Sequence, residues 1–299
     1  LNDSSKVFIE GLKGATSYSY HAYAVTQSGT YVGETFNCMT LNFSKGSGTS
    51  TDPYRVETQQ DLEAISQSVW DGNDLSGCFF RMENDIRLTS NIIPIGGGNI
   101  SPSTVVKGIV KGFNGIFDGN NKTISNFNLY FYQGEGSSLS TGLFGCISKN
   151  GVVKNLTISA LSYHDSQSLA CVGIVAAINY GAIINCHTDG GDIYISSPGN
   201  DYAGGVVGIN CGYIYSCTNK ISIFLESGIS FGGGHLGGIT AVNYHVVKGC
   251  VNYGQLGCKD VCNAGGIVGT SGYQERSDHP ANNTIEDCIN YGELYANST

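Results

Sequence analysis

From residue 142 to the end, the apolar positions fall into two marks that return about every thirty residues. The first mark is a glycine followed by a short apolar run: Gly142-Leu-Phe-Gly145, Gly173-Ile-Val-Ala176, Gly205-Val-Val-Gly208, Gly238-Ile-Thr-Ala241 and Gly266-Ile-Val-Gly269. Steps between the first glycines are 31, 32, 33 and 28 residues. The second mark pairs an apolar residue with a Leu or Cys three positions later: Val153 with Leu156, Ile183 with Cys186, Ile214 with Cys217, Val247 with Cys250, and Ile285 with Cys288. Such a period, with two apolar marks per copy, predicts stacked coils of short strands that bury their marks against one another. The expected fold is all-β, a right-handed parallel β-helix (β-solenoid). Ile183, Ile214, Val247 and Ile285, with Cys186, Cys217, Cys250 and Cys288, are the expected inward ladder.

Upstream of residue 141 the pattern is different. Residues 1–41 alternate as strands, at Val7-Phe8-Ile9, Tyr18 to Val25 and Tyr31 to Thr40, with Gly29 and Gly33 as expected turns. Residues 42–52 are rich in Ser, Gly and Thr and read as a linker. Residues 53–140 read as an N-terminal cap and the first coils, and 141–299 as the repeats. The cap begins with a short strand at Tyr54-Arg-Val56 and a helix. Thr58 is a good N-cap with Asp61 at N3; Leu62, Ile65 and Val69 share one face, and Gly72 ends it. Because a solenoid end exposes apolar cross-section and strand edges, the helix is expected to act as a lid.

Composition narrows the function classes. Charged residues are 13% of the 299, while Gly reaches 43 and Tyr 18, which disfavours long charged helices. A net charge of −9 argues against nucleic acid and anionic membrane surfaces, both of which are bound through basic patches. No apolar run approaches the ~20 residues of a membrane span, so no membrane insertion is expected. The eleven cysteines cannot all pair within one chain. Cys186, Cys217, Cys250 and Cys288 share a repeat position with Leu156 and read as small apolar residues, whereas Cys258 and Cys262 sit where they could close a local loop.

Two stretches resemble known families. Leu12-Lys-Gly-Ala-Thr16-Ser-Tyr18, Tyr20 to Val25 and Gly33-Glu-Thr-Phe36 resemble the last three strands of a fibronectin type III domain, the first of them its tyrosine corner. The order from residue 47 onward looks like the GLUG-repeat β-solenoid proteins exported by Gram-negative gut anaerobes. The matching residues are Asp52-Pro-Tyr54, a helix, Asn84-Asp-Ile86 with Leu88, Pro94-Ile-Gly96, Phe113 to Asn120, Gly142-Leu-Phe-Gly145, and units such as Cys250-Val-Asn252-Tyr-Gly254 and Cys288-Ile-Asn290-Tyr-Gly292. The resemblance implies an extracellular or outer-surface location after removal of an export signal.

Chemistry is sparse. There is no His-Glu-x-x-His, no Gly-x-Ser-x-Gly and no phosphate loop, so no catalytic residues, metal or cofactor are expected. Asp189, Asp192 and Asp201 form one acidic cluster around Gly190-Gly191, and Tyr194, Tyr202 and Tyr213 are aromatic candidates for a ligand. Asn252 and Asn290 read as structural, stacking at turns. The expected role is a monomeric surface module binding a glycan or a surface protein, not an enzyme. The alternatives are a carbohydrate-active β-helix enzyme, which needs two carboxylates ~5–9.5 Å apart, and a plain spacer.

Overall fold

A computed structural model describes residues 17–39, 43, 45–97, 111–130, 140–165, 171–195, 202–225, 234–259, 262–272 and 283–296. Val7 to Ile9, Leu12 to Thr16 and Asp201 lie outside the described residues. The chain divides into two compact units, Leu1–Lys45 and Gly46–Thr299.

In the first unit, Ser17–Thr26 and Gly29–Met39 form an antiparallel hairpin that turns at Thr26 to Gly29. Gly33 does not turn the chain. It lies inside the second strand where the register shifts between His21 and Tyr23, opposite Ala22, so two residues on one strand face one on the other and make a bulge. Side chains on both faces are exposed, including Tyr20, Tyr23, Val25, Tyr31 and Phe36; Tyr20 and Phe36 stack across the strands at 5.6 Å.

The second unit is a parallel β-solenoid preceded by one helix, α1 (Gln59–Trp70). The segment from Gly46 to Asp52 belongs to it rather than hanging free: Ser47 and Thr49 donate backbone N–H groups to the Asp52 carbonyl, and Phe79 N–H donates to Gly48. α1 starts as its sequence dictates. The Thr58 hydroxyl accepts from Asp61 N–H, and the Asp61 carboxylate accepts from Thr58 N–H in return, closing a capping box. Leu62, Ile65 and Val69 are buried, and Gly72, at φ 97°, follows the end. Trp70 Nε1 and the Ser66 hydroxyl both donate to the Pro94 carbonyl, tying α1 to the segment that enters the first regular coil.

Each later coil visits four sheets in turn. A glycine sheet is built from Ser140–Thr141, Cys171–Gly173, Tyr202–Gly204, Gly234–Gly237 and Cys262–Gly265. An asparagine sheet follows from Phe144–Ile147, Ala176–Asn179, Val207–Asn210, Thr240–Asn243 and Val268–Ser271. A long sheet then runs from Tyr54–Val56 through Phe79–Met82, Ile116–Phe127, Val152–Ala160 and Ala182–Gly190 to the paired short strands that end at Ile289–Asn290. Last comes an aromatic sheet of Tyr163–Asp165, Ile193–Ile195, Ile223–Leu225, Leu256–Cys258 and Leu294–Ala296. Five strands in each of three sheets set about four turns between first and last rung.

The register refines the glycine mark. Gly173 pairs with Gly204, not Gly205, and Phe144 pairs with Ala176, one residue away from simple motif alignment. Gly204-Gly205 offers two glycines to align, and hydrogen bonding selects the first. Gly205, Gly238 and Gly266 serve a different purpose. A Cβ on any of them would sit 2.3 Å from the Cγ of Asn219, Asn252 or Asn290 respectively, so these positions are glycine because an asparagine side chain passes against the backbone.

Core composition changes along the axis. The first coils are filled by Phe80, Phe113, Phe117, Phe127 and Phe144, with Phe113 and Phe144 centroids 5.2 Å apart. Later coils stack Val153, Ile183, Ile214 and Val247, all fully buried, while Ile285 on the last described rung is 45% exposed.

Candidate functional site

Two kinds of ladder line the solenoid, and separating them locates the candidate site. The inner ladders are closed. Cys186, Cys217, Cys250 and Cys288 lie one above another, and the sulfurs of Cys217, Cys250 and Cys288 each accept the backbone N–H of the cysteine one coil earlier, at 3.5, 3.4 and 3.4 Å. Burial raises the Cys217 thiol well above its ordinary value, and the hydrogen bond to Cys217, aided by burial, pushes Cys250 up to about 12. The Cys217 and Cys250 thiols are thereby kept protonated and poorly nucleophilic.

Asn179, Asn210 and Asn243 form a second closed ladder, each amide donating to the next Oδ1 at 2.8 Å while Oδ1 accepts N–H from Gly181, Gly212 and His245. A third ladder runs from Thr188 through Asn219 and Asn252 to Asn290 at 2.8 Å per step. At the corner of the long sheet, Asn155, Asn185, Ser216, Gly249 and Asp287 all adopt φ between 52° and 65°, a left-handed rung that asparagine and glycine reach at least cost. Asp118, one coil before Asn155, accepts from the Asn155 amide. Burial opposes its ionisation, but hydrogen bonds from the Asn155 amide and Asn120 N–H, with the charge of Lys154 at 3.3 Å, hold its carboxyl below the ordinary value.

The outer ladder is interrupted. In two strands of the aromatic sheet the half-buried middle residue lies between two buried ones: Tyr194 between Ile193 and Ile195, and Phe224 between Ile223 and Leu225. The middle residues of the sheet's strands are His164, Tyr194, Phe224, Gly257 and Tyr295, in register. His164 stacks on Tyr194 at 4.2 Å and 15°, and Tyr194 on Phe224 at 4.8 Å and 18°. At Gly257 the stack lacks a ring. The Phe224 ring leans over that glycine, 2.4 Å from where a Cβ would be, and a slot of about 350 Å³ remains, lined by Tyr194, Phe224, Gln255, Gly257, Lys259 and Tyr295 among others. The Tyr295 hydroxyl donates to Glu293 on its far side. Lys259 projects from a short loop closed by the Cys258–Cys262 disulfide.

The candidate residues read from sequence do not converge. Tyr194 lies in the outer stack and lines the slot. Tyr202 lies on the glycine sheet, stacked on His235 at 4.9 Å, and with Tyr180 and Tyr244 covers a buried cluster of Cys146, Cys171, Ile178, Ile209, Cys211 and Val242. Tyr213 is 41% exposed on the long sheet, edge-on to His245 at 4.5 Å. Asp189 and Asp192 flank the corner between the long and aromatic sheets, where Asp192 accepts the Tyr163 N–H through its carbonyl. Among the described residues, no group of three or more His, Cys, Asp or Glu side chains is placed to hold a metal ion. A second cavity of about 330 Å³ lies beside α1, between Glu63, Gln67, Trp70 and Asn91.

Sequence reading missed His164, Phe224, Gly257, Gln255, Lys259 and Tyr295. A signal was present: Ile193-Tyr-Ile195, Ile223-Phe-Leu225, Leu256-Gly-Cys258 and Leu294-Tyr-Ala296 form a third mark at the repeat spacing. Its ring position is filled by four residue types, which hides it from a search for one recurring residue.

No family model matches the chain. It is 30% identical over 164 residues to halomucin of Haloquadratum walsbyi, which covers 55% of this chain and 2% of that protein. It is 31% identical over 143 residues to a putative Gly-rich membrane protein of Evansella cellulosilytica, covering 48% of this chain and 15% of that one. The chain thus spans a small part of the curated relatives it matches. Among solved structures, an IgA1 protease aligns over 95% of this chain and 23% of its own at a TM-score of 0.43 and 11% identity. No described helix is long and apolar enough to cross a membrane. The fold is a parallel β-solenoid with one preceding helix and a separate two-stranded antiparallel sheet.

Proposed function

We propose that this chain is an exported cell-surface module of the GLUG-repeat kind that binds a glycan along its solenoid wall and catalyses no reaction. The observation that carries this reading is the outer aromatic stack with its slot at Gly257, where ring faces meet an amide and an ammonium group. Similarity to halomucin and to a putative Gly-rich membrane protein supports a place at the cell surface. α1 acts as the lid of the first coils, and the N-terminal hairpin belongs to a partial fibronectin type III-like segment. A hydrolase reading needs two carboxylates facing each other across a groove. The neighbouring acids Glu286 and Asp287 instead converge on Lys248, at 2.8 and 3.8 Å, on an exposed face.

A glycan array run beside a hydrolysis screen on host and plant polysaccharides tests the proposal. Retention of one glycan class without turnover is the expected result. Turnover of any polysaccharide, or silence on the array, overturns it.

A further inference from the structure

Aromatic rings stacked along a solenoid hide their faces against each other and show solvent only their edges, so an unbroken stripe offers little to a sugar. A vacant rung changes this. Gly257 pairs with Phe224 on one side and Tyr295 on the other; the Phe224 ring leans over the glycine, and a slot of about 350 Å³ lined by both rings stays open. No left-handed φ requires glycine here, and the three atoms nearest an added Cβ all belong to the Phe224 ring. With no side chain at 257 that ring has room to lean over the backbone, and the slot beside it stays open.

The rim states what fits the space. Gln255 brings an amide, Tyr194 a hydroxyl group and Lys259 a positive charge on a chain whose net charge is −9, while the Tyr295 hydroxyl is held by Glu293. Lys259 follows Cys258, which is disulfide-bonded to Cys262. We propose that the slot at Gly257 binds one carboxylated pyranose residue of a glycan chain. Its C–H face lies against Phe224 and Tyr295, its hydroxyls meet Gln255, and its carboxylate meets Lys259. This rests on the glycan-binding reading above and names its site and ligand class.

The test uses the full chain with galacturonic acid trisaccharide and galactose trisaccharide as probes, followed by isothermal titration. The wild type is expected to bind the acidic probe at least tenfold more tightly than the neutral one. Gly257→Tyr fills the vacant rung and is expected to weaken the acidic probe at least tenfold while its Tm holds or rises, so lost binding cannot be put down to lost folding. Lys259→Gln is expected to bind both probes alike. If both variants match the wild type, the slot is not the site, and the surface-binding reading survives on other walls. If the wild type binds neither probe, the slot proposal is overturned, while retention of another glycan on the array would still support the wider function.

Discussion

The inner asparagine ladder and the outer aromatic stripe are built on the same rungs, yet only the outer one is interrupted. Along the inside, Asn179, Asn210 and Asn243 are fully buried, and each amide serves the next coil as well as its own turn. Loss of an amide between them would strand backbone N–H groups away from water, so these three rungs are held by folding. Along the outside, His164, Tyr194 and Phe224 gain a stacking contact per rung, but their loss at Gly257 exposes only ring faces to solvent. Inner rungs are thus constrained by folding, whereas outer rungs are free to vary, and that freedom is where a binding function can be written.

Substitutions can break this contrast from the largest effect downward. Asn210→Ala removes the Oδ1 acceptor of Gly212 N–H and the amide donor to Asn243, Gly212 and Val246 carbonyls. The expected loss is about 4–6 kcal/mol in urea unfolding, from several polar groups stranded at ~1–3 kcal/mol each. Ile214→Ala, on a fully buried rung, should cost about 3 kcal/mol in the same assay. Ile285→Ala, at the equivalent position of the last described rung, should cost less than about 1 kcal/mol because the side chain is already half in water. Equal losses at Ile214 and Ile285 would mean that a further layer covers the last rung. Gly257→Tyr should raise stability by about 0.5–1 kcal/mol through two new ring contacts, the opposite sign from either inner substitution.

The smallest expected effect is a pH dependence. Burial holds the His235 imidazole below its ordinary value, where it stacks on Tyr202 and its Nδ1 meets the Thr270 hydroxyl at 2.6 Å. A depressed pKa means the unfolded chain takes up the proton first. The contribution is full above about pH 6.5 and is lost as pH falls through the folded value. Tm should therefore drop between roughly pH 7 and 5, and a His235→Phe chain, which keeps the ring without the proton, should show a shallower drop by calorimetry.

Much of the inner ladder was legible because its chemistry is monotonous. Ile183, Ile214 and Val247 repeat one type, and Cys186, Cys217, Cys250 and Cys288 repeat another, so periodicity exposes them. The α1 boundaries were legible for a similar reason, since Thr58 and Asp61 satisfy specific backbone donors. Register at Gly204-Gly205 was not legible, because two adjacent glycines give the same pattern one residue apart, and only hydrogen bonding across coils chooses between them. The outer stripe was hidden by its own tolerance: a His, a Tyr, a Phe and a Gly at one position share no letter, and the informative member is the one without a side chain. Tyr202 and Tyr213 stand out as aromatic candidates in the sequence, yet they lie on two of the other walls, where sequence spacing alone does not say which way a wall faces.

The central claim, that the vacant outer rung is a place for a ligand ring, is tested most directly by a crystal structure of the chain with galacturonic acid trisaccharide. The account predicts one pyranose ring seated in the slot beside Gly257, against Phe224 and Tyr295, with its carboxylate on Lys259. An empty slot with the sugar bound on another wall would contradict it.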